Sequence, residues 1–157
     1  MGRLRATLAR SSLDREIAQR LNEAERAALE TLVPAARARL DAIAGMAANA
    51  TYKNTMAALD KATEELDLAV SIVRHLEAVA TTPELRDAWN EAQPLVTQFY
   101  SSIPLNDGLW KAIHGFASTG EAAGLTGVRR RHLDKTVESF RRHGADLSPE
   151  DKSKLEA

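Results

Sequence analysis

The stretch TYKNTMAALDKATEELDLAVSIVRHLEAVATTPELR, Thr51–Arg86, decides the fold. From Tyr52 to about Ala80 it contains neither proline nor glycine, and its aliphatic residues recur at helical spacing. Leu59, Leu66, Val70 and Val73 fall on one side at about 100° per residue, and Leu68, Ile72, Leu76 and Val79 fall roughly opposite. A helix apolar on both sides is expected between neighbours, so the stretch predicts a long central helix near 52–80 in a helical bundle. At its end, "TTPE" reads as the next helix start. Thr81 or Thr82 can cap, Pro83 suits the first turn, and Glu84 can close a capping box with Thr81.

The rest of the chain agrees with an all-α reading. It holds 28 alanines, the residue that costs least in a helix. Period-two runs of β-branched residues are missing, and the one Asp-Gly pair, Asp107-Gly108, is followed by a helical pattern rather than a second strand. The reading is an antiparallel bundle of about five to six helices. The first runs from near Ser12 to near Gly45, with Pro34 kinking or restarting it; the third ends near Pro104. A fourth covers roughly Asp107 to Ser118, capped by Asn106, and "STGEAAGLTG" is a glycine-rich joint. A fifth starts near Thr126 and stops at Gly144, with arginines and His143 in its last turn, where they suit the helix dipole. Ser148, Pro149 and Asp151 mark one more helix start, with only about two turns of chain after it. A helix so short is marginal alone and suggests the start of an element in something larger.

Residues 1–157 are expected to form a single helical domain with a real core, residues 1–12 being a frayed basic lead-in. That lead-in carries Arg3, Arg5 and Arg10 but no continuous apolar segment of a secretory signal, and Ala6 breaks the myristoylation pattern. A net charge of −1 gives no global pull toward nucleic acid or anionic membrane. The absence of cysteine excludes disulfides, thiolate-bound zinc and a thiol nucleophile, and fits a reducing compartment.

Each candidate site also has a plain structural role. His75, His114, His132 and His143 include no pair at i, i+4, and H-E-x-x-H is absent. His75 and Glu77 point to different faces, so His75 is read as structural, hydrogen-bonding a neighbouring helix. Glu64, Glu65 and Asp67 read as solvated helix surface. The stretch "VRRRHLDKTVESFRRHG" sets Arg129, Arg130, Arg131, Lys135, Arg141 and Arg142 around an apolar stripe of Leu133, Val137 and Phe140. Asp134 and Glu138 interrupt the charge and no aromatic is interleaved for stacking, so it reads as a surface or interdomain helix rather than a nucleic-acid site. Trp89, Phe99, Tyr100, Trp110 and Phe116 read as a core where the third and fourth helices pack. The residues thus give no catalytic, cofactor-binding or metal position.

Thr51 to Ile113, TYKNTM through LWKAI, resembles the N-terminal helical region of the thimet oligopeptidase / oligopeptidase A family of zinc metallopeptidases. "KNT" at Lys53–Thr55 stands where that region has an "ENT" stretch. His75-Leu76 follows near the helix end, then "TPELR" at Thr82–Arg86 with Trp89 shortly after, then Leu109-Trp110-Lys111-Ala112. Later "SFRRHGADLSPEDKSKL" is similar to the family's pattern over Arg131 to Leu155. The resemblance covers about Thr51 to Ala157; residues 1–50 match only in helical character. It implies that the zinc ligands, the catalytic glutamate and the substrate-binding histidine and tyrosine segments lie outside this chain, which would be a channel wall without catalytic residues.

Two readings follow. In one, the chain is the non-catalytic N-terminal domain of a cytoplasmic zinc oligopeptidase. Zinc would be held by the parent alone, the partners being the catalytic domain of the same chain and oligopeptide substrates. In the other, it is a free-standing interaction module that has lost the peptidase. Either way an exposed apolar surface is expected, with homodimerisation through it a natural outcome of isolation. No nucleic acid or membrane partner is expected.

Overall fold

The computed structural model describes residues 30–79, 83–148 and 150–152. Helix α1 occupies 30–44 and runs through Pro34 without a break. A 3₁₀ turn, Ala47–Asn49, and a π-helical turn, Tyr52–Met56, lead into α2, Ala57–Ala62. The remaining helices are α3, Glu64–Val79; α4, Pro83–Ser102; α5, Asp107–Ala117; α6, Gly120–Ala123; and α7, Gly127–Arg142. No strand occurs among the described residues, and none of their helices is long and apolar enough to cross a membrane. The expected start of the first helix, the caps at Thr81 and Thr82, the basic lead-in, Pro149 and residues 153–157 lie outside the described residues.

The helices among the described residues outnumber the expected five or six for two local reasons. The long second helix is interrupted at Thr63. The Thr63 hydroxyl donates to the Asp67 carboxylate at 2.9 Å, and its carbonyl accepts from the Asp67 N–H at 2.7 Å. Thr63 thereby acts as a start for α3 within the same run. In the glycine-rich joint, Thr119 accepts from the Ala122 N–H at 3.2 Å and nucleates the one-turn α6.

Other boundaries follow the capping chemistry of the sequence. Thr51 and Asn54 form a reciprocal capping box, with the Asn54 N–H on Thr51 Oγ1 at 3.2 Å and the Thr51 N–H on Asn54 Oδ1 at 2.7 Å. Asn106 Oδ1 accepts from the Leu109 N–H at 3.0 Å and opens α5. At the end of α7, Gly144 adopts φ +96°; its N–H bonds the Arg141 carbonyl and the Ala145 N–H bonds the Phe140 carbonyl. That is a Schellman closure, which needs the left-handed residue that glycine supplies. Ser148 and Asp151 form the expected last helix start, the Asp151 N–H lying 3.2 Å from Ser148 Oγ.

One buried cluster joins the helices. Val33, Ala36, Leu40 and Ile43 give α1 a single apolar face. It meets Met56, Ala62 and Leu66 of the π turn, α2 and α3, and Val96 and Phe99 of α4. Leu109, Ile113 and Phe116 of α5 and Leu133 and Phe140 of α7 complete it. Phe99 and Phe116 enter this cluster and Tyr100 and Trp110 pack against it, as expected, whereas Trp89 belongs to neither group, and the neighbours differ. Helix α5 packs on the two turns Ala47–Asn49 and Tyr52–Met56 and on α6 and α7, and α4 packs on α3. Gly108 permits the approach of α5 to α1, since a Cβ there would stand 2.8 Å from Ala44 Cβ.

The second apolar side of the 52–80 stretch departs from expectation. Leu66 and Val73 are buried and Leu59 and Val70 pack on the core, while Leu68, Ile72 and Val79 are exposed. Among the described residues, α3 is an outer helix and not a sandwiched one. Periodicity identified both stripes, but of the second only Leu76 is partly buried among the described residues.

Candidate interaction surface

The outer face of α3 is the feature that the core does not explain. Leu68, Ile72 and Val79 keep 64%, 51% and 65% of their surface in solvent. At 100° per residue these three and His75 fall within one narrow stripe. His75 is exposed and makes no hydrogen bond to a neighbouring helix among the described residues, contrary to expectation. Its place within the outward stripe, rather than on the buried side, is the reason. One turn before Leu68 the stripe meets a groove of about 530 Å³ between α1 and α2, lined in part by Ile43, Met46, Ala58 and Lys61 and closed by Glu64 and Glu65. Met46 is itself an exposed apolar residue. Arg39 spans the groove wall, its guanidinium 2.9 Å from the Glu65 carboxylate.

Two of the three acids at the start of α3 are therefore not merely solvated. Glu65 ties α3 to α1. Asp67 accepts from Thr63 and from the Tyr100 hydroxyl, tying α3 to α4. Burial, and next the bond to the Asp67 carboxylate, push the Tyr100 phenol well above its ordinary value of 10.0. At the far end of the same helix pair, Arg86 reaches Glu77 at 4.0 Å.

The basic helix α7 is also accounted for by its neighbours. Arg129 lies over the Tyr52 ring at 5.1 Å and Arg141 over the Trp110 ring at 5.7 Å. Arg130 pairs with Asp134 at 2.9 Å, Arg141 with Asp146 at 3.2 Å, and Lys135 and Arg142 both with Glu138. The Lys135 bond, with Arg142 beside it, holds the Glu138 carboxyl below the usual range. Arg131 is exposed. Most of the positive charge is thus paired or stacked within the domain, as a surface helix requires.

Two polar ties escaped the sequence reading because their partners are far apart in the chain. His132 Nε2 faces Asp60 Oδ1 at 3.1 Å and its Nδ1 faces the Tyr52 hydroxyl at 3.2 Å. A neutral ring protonated at Nε2 satisfies both, donating to the carboxylate and accepting from the phenol. Lys152, with 10% of its side chain exposed, places its ammonium on the Asp107 carboxylate at the start of α5. This hydrogen bond holds the Asp107 carboxyl below its ordinary value of 3.8. Of the other histidines, His114 lies against the Trp110 ring and His143 Nδ1 is 2.7 Å from the Ser139 carbonyl.

Among the described residues no three His, Cys, Asp or Glu side chains gather as a metal site. The Asp60–His132–Tyr52 chain is the only histidine in contact with both an acid and a hydroxyl among the described residues, and all three members serve to join α7 to the π turn and α2.

Comparison with known proteins finds relatives of this chain. The family model of the neurolysin/thimet oligopeptidase N-terminal domain matches residues 17–152. Oligopeptidase A of Escherichia coli (strain K12) is 25% identical over 114 residues, covering 73% of this chain and 17% of that protein. Oligopeptidase A of Haemophilus influenzae is 26% identical over 100 residues, covering 64% of this chain and 15% of that protein. The chain thus spans about a sixth of the length of these relatives.

Proposed function

The chain belongs to the family of neurolysin/thimet oligopeptidase N-terminal domains, and from that premise we propose that it serves as the non-catalytic helical domain of a zinc-dependent oligopeptidase. In this reading residues 1–157 are one domain. It packs against the peptidase part of the same polypeptide and forms part of the wall of the channel that admits short peptides. Zinc and the catalytic groups belong to the peptidase part, which would hydrolyse peptide bonds in oligopeptides in the cytoplasm. The observation that carries the reading is the asymmetry of coverage: the similarity to the Escherichia coli oligopeptidase A takes in 73% of this chain but 17% of that protein.

The apolar outer face of α3 gives a second reading its footing: a free-standing helical module that binds another protein through that face. The size of the natural polypeptide separates the two. An antibody raised against this chain should detect, in source-cell extract, a band several-fold larger than 17.1 kDa. That polypeptide, purified, should contain zinc and cleave short peptides, with activity lost to a chelator and restored by zinc. A band at 17.1 kDa would leave the free-standing module.

A further inference from the structure

We propose that the outer face of α3, the stripe Leu68–Ile72–Val79 with the adjoining Met46 groove, is the seam on which the peptidase part of the same polypeptide is seated. The proposal rests on the domain reading above and adds which face meets the rest of the protein. The stripe is no extension of this domain's core, because the opposite side of α3 already supplies Leu66 and Val73 to it. Its residues have no internal task that the described structure shows. A run of exposed aliphatic side chains at helical spacing, leading into an apolar groove, suits a packed element of another part of the protein.

The occupant follows from size. Three half-exposed aliphatic side chains and a shallow groove fall well short of the roughly 800 Å² per partner that a stable interface between separate molecules covers. A second copy of this chain would have to hold on that area alone. A segment of the same polypeptide does not, since tethering supplies an effective concentration in the millimolar range. The matched relatives have the material for it: more than four-fifths of their length lies outside the region this chain matches. The carboxylate of Glu64, at the junction of groove and stripe and without an ion-pair partner among the described residues, favours a basic residue on the seated element.

The chain contains no cysteine, so Ile72→Cys introduces a unique thiol into it at the centre of the stripe. The rate of thiol modification at position 72, read by peptide mapping, is compared between the purified 157-residue chain and the natural polypeptide purified under native conditions. Modification is expected to be at least about 10-fold slower in the natural polypeptide, and independent of concentration in the purified chain. A natural polypeptide several-fold larger than this chain, with position 72 modified at the rate of the isolated chain, overturns the seam but leaves the domain reading standing. A natural polypeptide of 17.1 kDa overturns both. Protection in the purified chain that is relieved by dilution assigns the stripe to a second copy and overturns the proposal. The variant Leu68→Lys in the isolated chain is a second check: its melting temperature should match that of the parent chain, and a marked fall would make the stripe part of this domain's own core.

Discussion

His132 Nε2 lies 3.1 Å from Asp60 Oδ1, joining α7 to α2. The same ring reaches the Tyr52 hydroxyl through Nδ1, and the Tyr52 ring packs edge-on to Phe116 at 6.2 Å while Arg129 covers its face. The imidazole is thus the polar half of a contact whose apolar half is the core itself.

Removing that ring tests how much the polar half contributes. His132→Ala should cost about 1–2 kcal/mol, the range for two partly exposed hydrogen bonds and some packing. Tyr52→Phe, which keeps the ring on Phe116, should cost about 0.5–1 kcal/mol. Urea unfolding of both variants and of the double variant should give a coupling energy above about 0.5 kcal/mol. Strict additivity would mean that the hydroxyl–imidazole bond is not formed in solution.

Two leucines two positions apart on α3 should behave oppositely. Leu66 is fully buried, so Leu66→Ala should destabilise by about 2–5 kcal/mol through lost burial and the cavity left behind. Leu68 faces solvent, so Leu68→Ala should stay within about 0.5 kcal/mol of the parent chain. Chemical denaturation of the isolated chain decides it. A comparable loss for Leu68→Ala would place its side chain in the core.

Gly108 should resist replacement for a reason of space. An alanine Cβ would meet Ala44 Cβ at 2.8 Å, and Ala44 sits on the rigid backbone of α1. Overpacking of this kind costs about 1–3 kcal/mol, more than the gain of up to about 1 kcal/mol from replacing glycine in a helix. Gly108→Ala should therefore lower the melting temperature, and Gly108→Val should lower it further. A rise with alanine would show that α5 stands farther from α1.

The Asp107–Lys152 pair should give the domain an acid-sensitive clasp. The folded Asp107 value lies below 3.8, so its stabilisation is present in full above that ordinary value and is lost as pH falls through the lowered one. Asp107 is 60% exposed, so solvent screening limits the effect to about 1 kcal/mol or less. Asp107→Asn should destabilise near neutral pH and flatten the fall of stability with acid below the ordinary carboxyl value of 3.8. Lys152→Met keeps the apolar stem in place and should flatten the same limb. An unchanged limb in both variants would show that the pair carries no folding linkage.

The sequence by itself determined the elements, because caps and periodicity act within a few residues. Asn106, Gly144 and Ser148 mark boundaries the structure also shows, each by a hydrogen bond spanning no more than five positions. The break at Thr63 and the single turn of α6 were missed because Thr63 and Thr119 act as starts inside stretches whose composition reads as continuous helix or as loop. Both apolar sides of 52–80 were legible as well, since 100° per residue fixes which side chains share a face. Which side is covered is a property of the neighbours, and periodicity carries no information about them. The tertiary structure alone decided that Leu66 and Val73 face the core while Leu68, Ile72 and Val79 face out. It alone brought His132 to Tyr52 and Asp60, and Lys152 to Asp107. Those pairs lie tens of residues apart, and only the packing of α1, α5 and α7 around one core brings them within a hydrogen bond's reach.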